Sequence, residues 1–319
     1  MKSLARQVRI LFHLITGVDW EYIIPMAFCY LKYKNHAARI SALRHLKYAY
    51  FERRFSDIVE KYKILSTEHK TTSNDGPVWV CWLQGEAAMP EVVKVCYQQL
   101  RSVVPPSRQV ILITWDNLKE YADIPDYIIE KLRKGLMSYT HFSDILRFTL
   151  LAKHGGLWVD STVYVSSPIP ESIFNKPYFS VRTEFGAETE YKYDGVNRGL
   201  WKCFIIGAAP HSLWLSCARD IIFEYWKNNN FFIDYFIVEY ILLLIYDQIG
   251  LVRRQVNSSV EIAPHLYALE KLRNCAFNQS DYAKLCNECQ WYKLSYKLKS
   301  ENVTSQGDLT YFGYIMQNA

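Results

Sequence analysis

The chain has 319 residues, of which half are hydrophobic and 15% are aromatic, so it is long and apolar enough to bury a sizeable core and is not a disordered protein. Its formal net charge is only +5. Residues 1–75 contain 13 Lys and Arg against 7 Asp and Glu, which leaves the remainder near −1 and argues against nucleic acid as a general partner.

The N-terminal quarter is predicted to be helical. Long stretches of residues 1–70 lack Gly and Pro, and Leu, Ile, Tyr and Phe recur every three to four positions among Lys and Arg. The first residues, MKSLARQVRILFHLITG, contain no small-residue cleavage site, so we expect no secretory signal peptide. The basic helices of residues 1–70 could bind an anionic membrane surface, or they could pack on the rest of the protein. TTSNDGP (71–77) is rich in turn formers and is predicted to be a linker.

Strands and helices alternate after this linker. Apolar runs predict strands at 78–84, 109–115, 157–159, 178–181 and 204–207. Apolar residues at helical spacing predict helices at 90–104, 125–136, 140–153, 211–227 and 233–248. Strand–helix–strand units with fully apolar strands are typical of a parallel sheet that is covered on both faces. We therefore predict a mixed α/β fold, in which ligands bind beyond the carboxyl ends of the strands.

The most apolar segment is FFIDYFIVEYILLLIY (231–246), which we interpret as a buried helix. Nothing in the chain reaches the roughly 18 uninterrupted apolar residues of a membrane-spanning helix. Asp234 and Glu239 lie within this segment, and their spacing of five residues points them in different directions. Asp234 could lie near the reacting centre or an acceptor hydroxyl, or it could cap the start of the helix.

Three charged residues surround the predicted third strand. Asp144 and Arg147 are three residues apart and share a helix face. One interpretation of this pair is a local ion pair without a role in a site. Asp160 directly follows the strand and could be a turn residue. Because Gly155-Gly156 connects this helix directly to the strand, we expect all three side chains to meet in one crevice. Two carboxylates and a guanidinium are suited to the hydroxyls and phosphates of a sugar nucleotide.

The segment SDILRFTLLAKHGGLWVDSTVYV (143–165) resembles the signature of the capsular polysaccharide synthesis family, which is related to sugar transferases with a DXD metal motif and a GT-A fold. Further segments that resemble the family are residues 78–100, 201–208, 234–247 and 293–312. The resemblance covers about residues 76–312. It implies a GT-A-like, Rossmann-type mixed sheet flanked by helices in a catalytic domain of residues 76–319, preceded by an N-terminal basic helical region of residues 1–75.

The function that this resemblance implies is transfer of a hexose from a nucleotide-diphosphate sugar. UDP-linked hexose is our first expectation for the donor, and GDP-mannose is the second. The acceptor would be a hydroxyl of a polysaccharide or lipid-linked oligosaccharide at the cytoplasmic, inner face of a bacterial membrane, with retention of anomeric configuration. Two alternatives remain open: a non-catalytic relative that binds sugar nucleotides or glycans, and a structural assembly protein that uses the N-terminal helices as its interface.

The resemblance also implies roles for single residues. Asp144 and Arg147 would hold the donor sugar, and Asp160 would be the first carboxylate of a motif for Mn²⁺ or Mg²⁺. Thr162 occupies the position of the second carboxylate, and because a hydroxyl is a neutral and weaker ligand, we expect looser metal binding. The residues predicted to bind the donor are Trp79, Gln84, Asp144, Arg147, Gly156, Thr162, Lys293 and Lys297.

Two kinds of side chain in this set have alternative roles. Trp79, Trp82 and Gln84 could border the nucleotide base, since aromatic faces stack on bases, but the tryptophans could equally be core residues. Without a metal, the charge on the departing diphosphate would need cations, and Lys293 and Lys297 are candidates. Alternatively, these lysines form a solvated basic edge.

Overall fold

A computed structural model of the chain describes residues 20–70, 72–183, 196–230 and 233–318. The first part of the helical region predicted over residues 1–70, residues 1–19, lies outside these ranges. The helices are α1 Trp20–Lys32, α2 His36–Arg54, α3 Ser56–Leu65, α4 Glu91–Val103, α5 Leu118–Tyr121, α6 Asp126–Arg133, α7 Tyr139–His154, α8 Leu213–Asn228, α9 Ile237–Gln248, α10 Gly250–Ser259, α11 Ala268–Leu272, α12 Gln279–Glu288 and α13 Tyr311–Asn318. The strands are β1 Val78–Cys81, β2 Val110–Ile113, β3 Gly156–Val159, β4 Val163–Val165, β5 Tyr178–Arg182, β6 Ile205–Ala208, β7 Val260–Ile262 and β8 Trp291–Lys293.

Six strands of the described residues form one mixed sheet in the order β2-β1-β3-β6-β5-β7. β1 is parallel to β2 and β3, β6 is antiparallel to β3 and β5, and β7 is parallel to β5. Successive side chains of β1 point to opposite faces, so that Trp79 joins one hydrophobic cluster with α7, α8 and α9, whereas Val78 and Val80 join another with α4 and α13. Helices therefore cover both faces of the sheet. The predicted fold class, a mixed sheet flanked by helices with an N-terminal helical region, is confirmed.

Most predicted elements occur where the sequence pattern indicated. The strands predicted at 178–181 and 204–207 correspond to β5 and β6, and the apolar helix predicted at 233–248 corresponds to α9. The strand predicted at 78–84 is too long, because β1 ends at Cys81 and the chain then leaves the sheet. Among the described helices, we find none with the length and apolar character that crossing a bilayer requires.

The second and third helices pack against the α/β layer. Phe51 of α2 is fully buried and stacks on Tyr225 of α8 and Tyr240 of α9. Tyr62 of α3 donates a hydrogen bond of 2.8 Å to Asp220 of α8. These contacts place α2 and α3 in the same core as the α/β layer, in agreement with the alternative that the N-terminal helices pack on the rest of the protein.

The connection from α7 to β3 depends on glycine. Gly155 and Gly156 have φ values of 66° and 99°, a region that L-residues with a side chain rarely adopt. A Cβ atom on Gly156 would lie 2.1 Å from the carbonyl oxygen of Pro77. Only glycine at this position allows β3 to begin beside β1 immediately after the helix. Gly156, which we predicted to bind the donor, is thus buried at the start of β3.

Candidate active site

A cavity of about 720 Å³ lies at the carboxyl ends of β1 and β3, and this volume is within the range of small-molecule binding sites. The chain segments that form it include the residues after β1, the first half of α7, the turn after β3, the residues before β6, the start of α9 and the segment after β8. Its charged lining residues are Asp144, Arg147, Asp160, Lys202, Glu239, Glu270, Lys293 and Lys297. α/β sheets generally bind their ligands beyond the carboxyl ends of the strands, and this cavity lies there.

Asp144, Arg147 and Asp160 lie together in this cavity. Arg147 donates from Nη1 to Asp144 Oδ1 at 2.8 Å and from Nη2 to Asp160 Oδ1 at 2.9 Å. Its guanidinium is only 3% exposed and lies 5.0 Å from the centre of the Trp158 ring. One buried guanidinium therefore bridges two carboxylates that come from different elements, which fixes their relative position. The helix–strand connection predicted from the sequence produces this convergence.

The two carboxylates differ in protonation. Burial raises the pKa of Asp144 to about 7, against the opposing charge of Arg147. Burial also raises the pKa of Asp160, but the charges of Lys293 and Arg147 outweigh it and lower that pKa to about 2. Asp160 is therefore ionised throughout the physiological range, whereas Asp144 changes its charge near neutrality.

Lys293 approaches the same motif from the C-terminal part of the chain. Its Nζ atom donates to Asp160 Oδ2 at 2.7 Å and to Thr162 Oγ1 at 2.8 Å. The antiparallel ribbon of β4 and β8 aligns Val163 with Lys293 and so fixes this contact. Lys297 also lines the cavity. Of the two lysines predicted as candidate cations, Lys293 contacts the motif directly, and Lys297 lines the cavity but is exposed to solvent.

The motif oxygens that a divalent cation would use already accept hydrogen bonds from other side chains. Asp160 Oδ1 accepts from Arg147 and from Trp158 Nε1, Oδ2 accepts from Lys293, and Thr162 Oγ1 accepts from Lys293 as well. The ammonium of Lys293 thus contacts one oxygen of Asp160 and the hydroxyl of Thr162, two of the oxygens that Mn²⁺ or Mg²⁺ could use in this motif. In the part of the chain that the structure describes, no three His, Cys, Asp or Glu side chains are grouped to hold a metal. The metal stays a prediction from the family resemblance.

The predicted aromatic contacts require a correction. Trp79 is buried and donates from Nε1 to the carbonyl oxygen of Gly155 at 2.8 Å, and neither Trp79 nor Gly156 is among the described lining residues. Trp82 and Gln84, which follow the end of β1, do line the cavity. The ring of Trp82 packs edge-on against Tyr296, with 5.6 Å between ring centres. Of the two tryptophans considered at β1, Trp82 therefore lines the site, whereas alternation along β1 turns Trp79 into the core.

Of the two predicted alternatives for Asp234, the structure agrees with the position at the start of the helix and not with the reacting centre. Its carboxylate pairs with Lys47 of α2 and accepts from the backbone N–H of Phe236 at 2.7 Å, just before α9 begins. It is not among the described lining residues, whereas Glu239 is. Glu239 accepts from Asn197 Nδ2 and Trp201 Nε1, both at 2.9 Å, and burial raises its pKa. The carboxylate that α9 presents to the cavity is thus Glu239.

The remaining residues of the site had only partial signals in the sequence. The spacing of five between the two carboxylates of the α9 segment indicated that both could not face one site, but it did not indicate which of them does. Trp158, Lys202 and Glu270 were not predicted. Trp158 alone had a local signal, because it stands two residues before Asp160 on the same strand face.

Comparison with known proteins gives one family assignment. No curated protein sequence matches the chain. Ten chains of solved structures match, among them one titled "PaToxG Glycosyltransferase", with 12% identity and a TM-score of 0.40 over 75% of this chain and 94% of that chain. The sequence model of the family described as capsular polysaccharide synthesis protein matches residues 29–315, which includes α2 and α3. Because this match spans most of its length, the chain belongs to the capsular polysaccharide synthesis protein family.

Proposed function

We propose that the protein is a glycosyltransferase that moves a hexose from a nucleotide-diphosphate sugar to a hydroxyl group of a polysaccharide or lipid-linked oligosaccharide. The observation that carries the proposal is the bridge from Arg147 to Asp144 and Asp160 inside a cavity of about 720 Å³. Membership in a capsular polysaccharide synthesis family supports it, since such synthesis joins activated sugars.

The chemistry of the lining matches the parts of such a donor. Carboxylates accept hydrogen bonds from sugar hydroxyls, and the lysines Lys293 and Lys297 provide positive charge for a diphosphate. The half-buried ring of Trp82 offers a face for a nucleotide base. We propose a UDP-hexose as the donor and GDP-mannose as the second candidate.

In the proposed reaction, the bond between the anomeric carbon and the diphosphate oxygen breaks, and its electron pair stays with the diphosphate. The acceptor oxygen forms the new bond to the anomeric carbon, with retention of configuration, and its proton passes to the departing diphosphate. The residues of the cavity contribute by orienting the donor and by stabilising the charge on the leaving group. Because the diphosphate accepts the proton of the acceptor hydroxyl, the proposed reaction needs no protein base.

We further propose that the acceptor is reached at the inner face of a bacterial membrane. The exposed apolar side chains Ile24, Phe28 and Leu31 recur along one side of α1, and Lys32 and Lys34 follow them. Basic residues near an anionic bilayer contribute about 1 kcal/mol each to binding. Apolar contact and charge together support a peripheral association through the N-terminal helices.

A donor panel tests the proposed function. We expect UDP-hexoses to raise the melting temperature of the protein and to be consumed when an oligosaccharide acceptor is present. Arg147→Lys keeps the charge but cannot bridge both carboxylates, so it should lower donor turnover by about 100-fold. The exposed Arg133→Met serves as the matched control and should leave turnover unchanged.

Two results would contradict the proposal. Binding of a sugar nucleotide without any turnover would favour the non-catalytic relative. If Arg147→Lys supported polysaccharide synthesis in cells as well as the unaltered protein does, an assembly role would be favoured instead.

A further inference from the structure

We propose that the ammonium group of Lys293 takes the place of a divalent cation and binds the diphosphate of the donor, so that donor binding requires no metal. This inference rests on the proposed function. It concerns the same cavity and names the group that receives the negative charge of the diphosphate.

The geometry leaves Lys293 able to bind a ligand. An ammonium group has three N–H donors, and Lys293 uses two of them on Asp160 and Thr162. Its side chain is 23% exposed and lines the cavity, so the third donor is accessible to a phosphate oxygen. The ring of Phe204 lies 4.7 Å from Nζ and restricts its movement on the other side.

The backbone around Lys293 is held from both sides. Its N–H donates to the carbonyl oxygen of Leu266 at 2.8 Å, and the N–H of Leu294 donates to the carbonyl oxygen of Thr162 at 2.9 Å. Lys293 is thus attached to the motif residue Thr162 by backbone and side chain together. A cation fixed in this way does not have to reorganise when charge develops on the leaving group.

Charge balance explains the hydroxyl at position 162. Two carboxylates with a divalent cation sum to zero, and so do Asp160 and the ammonium of Lys293. A second carboxylate at position 162 would add a negative charge beside a diphosphate and so weaken its binding. Thr162 instead accepts a hydrogen bond from Lys293 without neutralising its charge. The departure of this motif from two carboxylates and the position of Lys293 are therefore consistent with each other.

Calorimetric titration with UDP and GDP tests the inference, with uridine and guanosine as probes that lack phosphate. For the unaltered protein in EDTA, we expect diphosphate binding that changes by less than about two-fold when Mn²⁺ replaces the chelator. Lys293→Met should weaken diphosphate binding about ten-fold or more without affecting the nucleoside, because a charge-assisted contact is lost. Lys293→Arg should retain most of the affinity, and Lys284→Met, an exposed lysine on α12, is the matched control.

A second variant tests whether a metal can take the place of the Lys293 ammonium. Lys293→Asp would place a second carboxylate beside Asp160 and Thr162, and we expect its diphosphate binding to be weak in EDTA and restored by Mn²⁺. If the unaltered protein binds UDP or GDP only with Mn²⁺, the role of Lys293 is wrong while the proposed function stands. If neither nucleotide binds under either condition, both fail. Folded Lys293→Met with unchanged diphosphate affinity would also overturn the inference, and the chelator comparison decides the matter if that variant does not fold.

Discussion

At the scale of single residues, the site depends on two carboxylates that contact the same guanidinium but differ in their pKa values. Arg147 contacts both Asp144 and Asp160, and in the described part of the chain Asp160 also pairs with Lys293. Both carboxylates are buried. Burial therefore raises the pKa of Asp144, whereas at Asp160 the nearby cations outweigh burial and lower the pKa. Carboxylates with such separated pKa values can serve different roles in one pocket.

The raised pKa of Asp144 has a consequence for stability. The folded chain binds the proton of Asp144 more tightly than the unfolded chain, in which the pKa is near 3.8. Between pH values of about 4 and 7, the folded state holds the extra proton, so this group makes the free energy of unfolding fall as the pH rises. The slope is at most about 1.4 kcal/mol per pH unit.

We therefore expect Asp144→Asn to lose this part of the pH dependence. Urea unfolding of both proteins at pH 5, 6, 7 and 8 measures it, and the variant should gain stability relative to the unaltered protein as the pH rises to about 7. Parallel pH profiles for the two proteins would show that Asp144 does not titrate in this window.

The sequence predicted some of these residues and not others, for physical reasons. Asp144, Arg147 and Asp160 are joined by one helix–strand connection, so their meeting follows from local geometry. The positions of Trp79 and Asp234 depend on which side of a strand or helix the core covers. Both alternatives were compatible with the sequence, and tertiary packing decided them.

At the scale of secondary structure elements, the direct step from α7 to β3 is the feature that delivers Asp160. The predicted helix, glycine pair and strand are all present, because apolar periodicity and Gly155-Gly156 are local signals. The pairing of β6 with β3 and β5, and the pairing of β4 with β8, were not predicted. Register between segments far apart in sequence has no local signal.

We expect Gly156→Ala to destabilise the protein by about 3 kcal/mol or more, or to prevent folding. The added Cβ would lie 2.1 Å from the oxygen of Pro77, and the backbone has a φ of 99°. Gly135→Ala is the control, because Gly135 also has a positive φ but has no atom within 4 Å of the added Cβ, so it should cost only about 1 to 2 kcal/mol. Thermal melts compare the two variants. Similar losses at both positions would mean that the close approach to Pro77 is unimportant.

At the scale of the whole molecule, the N-terminal helices belong to the core that supports the site. Phe51, Tyr62 and their partners on α8 and α9 are buried together. Deletion of residues 1–70 would therefore remove core side chains, and it cannot separate membrane binding from folding. Substitutions on the exposed face of α1 are the better test of the proposed membrane contact.

We expect Phe28→Asp and Leu31→Asp to weaken binding to anionic liposomes about ten-fold or more, because each removes apolar contact and adds a repelled charge. Binding of the unaltered protein should decrease at high salt. Val303→Asp, at an exposed apolar position in the C-terminal part, is the matched control. Vesicle sedimentation measures the effect, and unchanged binding by both α1 variants would exclude this face as the contact.

The ribbon of β4 and β8 also determines when the site is complete during synthesis. Asp160 and Thr162 leave the ribosome long before Lys293, which is 133 residues further along than Asp160. Domains generally begin to fold while the chain is still being made. A nascent or prematurely terminated chain that stops before β8 has the acidic half of the pair without its ammonium, so the proposed activity requires synthesis of the chain through β8.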